Sequence, residues 1–144
     1  MNTLAKDFVP YEESQALKGL GFDEPCFGRY NVPGEFILSG CYSDSPLVSI
    51  LVEQNDICEA HTLAPTFSQA FRWFREKHKL QTYIDFYHSD SYFYKIKSQD
   101  GRNIGNIGDI ILQGTPLFTR TYEEAELECL VKLIDIVKLK QPTK

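Results

Sequence analysis

The segment LAPTFSQAFRWFREKHKL (residues 63–80) leaves the chain few local options. Phe67, Ala70, Phe71 and Phe74 recur at i, i+3, i+4 and i+7, the spacing that gathers four apolar groups on one face of an α-helix. Thr66 stands at the N-cap position, and Gln69 three residues later completes a capping box. Pro65 holds Ala64 extended and sharpens the boundary. A helix over residues 66–79 is therefore expected, with Phe67, Phe71 and Phe74 as core anchors. Arg72, Arg75, Glu76 and Lys79 fall on the opposite side, and Trp73 lies on the flank beside Ala70. An apolar stripe this wide needs another layer of structure to cover it.

The following residues supply that layer. TYIDFYH and SYFYKIKS alternate in the period of two that marks strands, joined across Ser89-Asp90. The first sets Thr82, Ile84 and Phe86 on one face and Tyr83, Asp85 and Tyr87 on the other. The second sets Tyr92, Tyr94 and Ile96 against Phe93, Lys95 and Lys97. Asp100-Gly101 is a hairpin turn signal, and a third strand is expected within residues 107–119. A closing helix follows, capped by Thr121 with Glu124 completing a second box. Its apolar face is Ala125, Cys129, Leu130, Leu133, Ile136 and Val137, with Glu126 at the edge, and the chain is expected to fray after Gln141-Pro142.

The front of the chain is less periodic. A helix over residues 11–20 is expected, with Pro10 at its first position and Glu12 and Glu13 in the first turn. Gly21 then takes the left-handed stop and Phe22 packs back on Leu17. Pro33-Gly34 predicts a hairpin pairing residues 26–32 with 35–42, and PLVSILV (residues 46–52) reads as a strand. The expected fold is α+β: one domain over residues 1–144, a small antiparallel sheet packed by three helices. Residues 1–62 form the helix and hairpin region, and residues 63–140 run α-β-β-β-α.

Charge and motifs exclude more functions than they select. The chain of 144 residues carries a net charge of −5, against broad phosphate-driven binding to nucleic acid. The charge is uneven: residues 1–65 hold three Lys/Arg and ten Asp/Glu, giving −7, while residues 66–144 hold twelve and ten, giving +2. The opening MNTLAKDFVPYEE has no apolar leader core, and no apolar run is long enough to span a bilayer. Four cysteines without a paired spacing are expected to be reduced thiols of a cytoplasmic protein, with Cys129 in a helix core.

No catalytic residue, metal or cofactor is expected. Cys58 and His61 form a C-x-x-H pair, but a structural zinc needs a second close pair. There is no G-x-S-x-G elbow, and Gly101, Gly105 and Gly108 match no phosphate-binding loop. Helix–strand–strand–strand–helix is also the order of the double-stranded-RNA-binding fold. By resemblance, that family places lysines at the start of its closing helix; here stand Glu123, Glu124, Glu126 and Glu128, which would repel phosphate. Two surface sets remain as binding candidates. One is basic: Arg72, Arg75 and Lys79 with Lys95, Lys97 and Arg102, weighed against a solvated helix face and sheet face. The other is aromatic: Trp73, Tyr83, Tyr87 and Phe93, weighed against coverage by a second layer.

The segments FVPYEESQALKGLGFDEPCF, LAPTFSQAFRWFREKHKL and TYEEAELECLVKLIDIVK together resemble small proteins encoded in phages and prophages of gut Bacteroides-type bacteria. The resemblance implies a setting, the bacterial host cytoplasm, and no activity or catalytic residue. The expected role is that of a non-catalytic accessory protein that binds a host or phage macromolecule, a protein first of all, for example as an inhibitor or adaptor. A nucleic-acid binder using the basic set is the alternative, and a small-ligand protein or enzyme with a pocket by the aromatic strands is the third.

Overall fold

The computed structural model describes residues 3–38, 59–88, 91–106 and 121–140. The fold is α+β, as expected, and the described residues form two three-stranded antiparallel sheets where one was expected. The chain packs as two compact units, Met1–Ala70 and Phe71–Lys144, and the division falls inside a helix rather than ahead of it.

In the first unit a short 3-10 turn, Thr3–Asp7, precedes α1, Tyr11–Gly19. Pro10 is the cap residue rather than the first helical one: its ring fixes φ at −59° while ψ is extended at 163°. The helix stops as its sequence predicts. Phe22 N–H donates to Leu17 O at 3.0 Å and Gly21 N–H to Lys18 O at 3.1 Å, with Gly21 at φ 97°. Those two bonds are the Schellman pair, and they bring Phe22 and Leu17 together into the buried interior.

The hairpin forms around the predicted Pro33-Gly34 turn, with β1 (Gly28–Tyr30) paired to β2 (Phe36–Leu38); residues 39–42 of the expected second strand lie outside the described set. On the other side of β1 lies β3, Thr62–Ala64, which the sequence did not announce. All three residues of β3 are buried, so no polar–apolar alternation marks it. The core here is aromatic: Phe8, Tyr30 and Ala64, with Tyr11, Phe36 and Leu38 against them. Gly28 is required by that packing, because a Cβ there would lie 2.6 Å from Phe36 Cε2. The Val9 carbonyl, at the centre, accepts from both Tyr30 Oη at 2.8 Å and Ser14 Oγ at 3.0 Å.

Helix α2, Phe67–His78, starts behind Thr66, whose Oγ1 accepts from Gln69 N–H at 3.2 Å. The box is half made: the Gln69 side chain turns away and donates to Pro25 O at 2.7 Å. Its buried residues are Phe67, Ala70, Trp73 and Phe74, while Phe71 is only partly buried. The buried stripe is thus rotated toward Trp73 relative to the expected one. Lys79 ends the helix in the left-handed conformation, φ 58°, where glycine is the usual occupant.

The second unit is a meander: β4 (Leu80–His88), β5 (Ser91–Ser98) and β6 (Asn103–Asn106), in that order. The third strand thus begins at Asn103, ahead of the expected residues 107–119, which lie outside the described set. It follows at once because the Gln99–Gly101 loop is the tight three-residue kind, with Gly101 at φ 83° and Ser98 N–H donating to Arg102 O at 2.9 Å. Helix α3, Tyr122–Lys140, packs on β5 and β4. Glu124 N–H donates to Thr121 Oγ1 at 3.2 Å, the expected cap, and the buried face contains every apolar residue assigned to it, with Ile134 added. Residues 39–58, including the expected strand at 46–52, and residues 141–144 lie outside the described set.

Candidate functional site

Strand register decides which surface residues meet. Gln81 faces Lys97, Tyr83 faces Lys95 and Asp85 faces Phe93 across the β4–β5 pair, so these six share one side of the meander. Leu80, Ile96 and Tyr94, on the opposite side, are buried. Both alternations read from sequence therefore hold, and the register joins the Tyr83 face of one strand to the Lys95–Lys97 face of the other.

The basic and aromatic candidates then separate by burial. Arg72, Arg75 and Lys79 are exposed, and Tyr83 is 50% exposed. Lys95 and Lys97 are partly buried. Trp73, at 3% exposure, and Phe93, at 8%, are not surface residues. Trp73 packs edge-on to Phe74 at 5.0 Å and to His78 at 4.8 Å. A ring enclosed this way contributes to stability and cannot serve as an open contact. Tyr87 belongs to β4, and its side chain is outside the described set.

Where α2 ends and the meander begins, a cleft of about 400 Å³ opens. Arg75, Glu76 and Lys79 come to it from the helix end, Gln81 and Tyr83 from β4, Lys97 and Ser98 from β5, and Gln99 and Gly101 from the turn. Four candidates thus converge: Arg75, Lys79, Tyr83 and Lys97. Lys97 Nζ stands 5.8 Å from the Tyr83 ring centroid, and Lys95 Nζ stands 5.3 Å from that of Phe93. Arg72 and Lys95 do not line the cleft. Arg102 is drawn into the turn, its Nε 2.9 Å from Asp100 Oδ2, and Asp100 also accepts from the Ser98 hydroxyl. The Ser98 hydroxyl first, and then the backbone N–H groups of Arg102 and Asp100, hold the Asp100 carboxyl below its ordinary range.

Gln81, Ser98 and Gln99 were missed as site residues. The alternation already placed Gln81 beside Tyr83, but nothing local marks a neutral amide as functional.

Among the described residues reactive groups are scarce. Cys26 and Cys129 are free and buried, and burial pushes both thiols up to about 12, with Glu24 and Glu126 respectively adding to it. Neither is a nucleophile in that state. Among the described residues no three metal-ligating side chains come together, and Cys58 of the C-x-x-H pair lies outside them. No helix among the described residues is long and apolar enough to cross a membrane. No protein-family model, curated protein or solved structure matches the chain.

Proposed function

We propose that the protein is a non-catalytic phage or prophage accessory protein that binds a host or phage protein in the bacterial cytoplasm. Its contact surface is the exposed face carrying Tyr83, Lys95 and Lys97 together with Arg72 and Arg75 of α2. The observation that carries this reading is the half-exposed Tyr83 ring set among cations from two elements. Tyrosine and arginine are the side chains that anchor protein interfaces, where a large amphipathic group meets a complementary charge. The surface is cationic, so the partner presents an acidic patch. The three helical segments that resemble phage-encoded proteins support the setting.

Affinity capture from bacterial lysate tests it. The wild-type chain should retain a defined protein, and Tyr83→Ala combined with Lys95→Glu should release it. No retained protein, or one held equally by the variant, would sink the reading. A basic set can also hold nucleic acid. Nuclease treatment of the lysate before capture separates the two, because only retention through nucleic acid is abolished.

A further inference from the structure

The cleft at the end of α2 has features that a docking face does not require. Arg75, Lys79 and Lys97 line it against a single carboxylate, Glu76, for a formal balance of three minus one, or +2. The negative end of the helix dipole accounts for cations in the last turn of α2, but not for Lys97, which arrives from β5. It accounts for a cation at Lys79 but not for that residue's backbone, held at φ 58° where glycine would sit without strain. Strain of this kind persists where the side chain has a use, and here the strained residue lines the cleft. The carboxylate of the adjoining turn is already matched, since Asp100 is engaged by Arg102. The volume of about 400 Å³ lies within the size range of small-ligand sites, roughly 300–1,000 Å³.

We infer that this cleft is a binding site for a phosphate ester of nucleotide size, its phosphates held by Arg75, Lys79 and Lys97 and its base lying against Tyr83. Three converging cations call for a ligand with at least two negative charges in a compact volume. A di- or triphosphate supplies them, and the arginine fork matches phosphate oxygens. The Tyr83 ring offers a planar contact, and the Gln81 amide can both donate to and accept from a base edge. The site shares Arg75, Tyr83 and Lys97 with the proposed contact face, but ligand binding is measured on the isolated chain, so its failure is distinguishable from the failure to find a protein partner.

Isothermal titration of the full chain tests it, with ATP, AMP, inorganic pyrophosphate, adenosine and a short single-stranded oligonucleotide as probes. ATP should bind, AMP more weakly and adenosine not at all, and added salt should weaken ATP binding. Arg75→Ala and Lys97→Ala should each lower ATP affinity about tenfold or more, the usual effect of losing a charge-assisted hydrogen bond. Lys77→Ala, on the same helix but outside the lining, should not. Lys79→Gly should raise the melting temperature of the free protein yet weaken ATP binding, a divergence that a purely structural lysine would not produce. Tyr83→Ala should weaken ATP while leaving pyrophosphate unchanged. Absence of ATP binding overturns the inference, as does an ATP affinity indifferent to both Arg75 and Lys97. Adenosine binding as well as ATP, or an oligonucleotide that binds tightly and is not displaced by ATP, overturns it too.

Discussion

Truncating Trp73 and Phe71 in turn tests how α2 is seated. Periodicity nominates Phe71 as the core anchor and leaves Trp73 on the flank, whereas the structure has Trp73 at 3% exposure and Phe71 only partly buried. Trp73→Ala removes a nearly enclosed indole and leaves a cavity, so the expected loss is about 3–5 kcal/mol. The edge-on contacts with Phe74 and His78 place it toward the upper end, since such pairs contribute about 0.5–1.5 kcal/mol beyond area. Phe71→Ala leaves a site open to solvent that can relax, and should cost about 1–3 kcal/mol. Urea unfolding followed by far-ultraviolet circular dichroism is the appropriate assay, because Trp73 is the chain's single tryptophan and its removal abolishes the fluorescence signal. Equal slopes with different midpoints would attribute the difference to the folded state. If Phe71→Ala proves as costly as Trp73→Ala, or costlier, the helix is seated as periodicity alone implies and the argument fails.

Three further outcomes are expected. At the Val9 carbonyl, Tyr30→Phe and Ser14→Ala should each cost about 0.5–1.5 kcal/mol, since the other donor remains. The double variant should lose more than the sum, because a buried acceptor is then left without either hydroxyl; additivity within about 0.3 kcal/mol in a double-mutant cycle would refute this. His78 is held below its ordinary value of 6.5 by burial first and by the Lys140 charge second. The unfolded chain therefore takes up a proton before the folded one, and the contribution of His78 is full above about pH 6.5 and lost as pH falls toward the folded value. Melting curves between neutral and mildly acidic pH should show this slope, and His78→Gln should remove part of it; an unchanged slope refutes the assignment. Lys79→Gly should stabilise the chain by about 0.5–1 kcal/mol, the left-handed penalty of roughly 1–2 less the entropy glycine adds in the unfolded state. A loss of stability in denaturant titration would show that the lysine is not strained there.

Much of the fold is legible in the sequence, and the reasons are local. The Schellman stop at Gly21 and Phe22, the Thr66 and Thr121 caps, the buried face of α3 and the two-faced alternation of β4 and β5 depend on side chains within a few residues of one another. Propensity, capping and period report such interactions directly. Tertiary structure decided what depends on distant partners. Strand β3 is visible only through its pairing with β1, and the Gln69 side chain leaves the capping box to donate to Pro25 O, a partner 44 residues away. Trp73 is core rather than flank, since a period of 3.6 leaves neighbouring positions nearly equivalent until a packing surface chooses between them. The same holds for the candidate site. The chain itself determined that Lys95 and Lys97 share one face of β5 and that Tyr83 lies on one face of β4, but the β4–β5 register and the left-handed turn at Lys79 decided that Arg75, Lys79, Tyr83 and Lys97 meet around one cleft. Convergence of charges from separate elements has no local signature, because the energy that brings them together lies in the buried faces behind them.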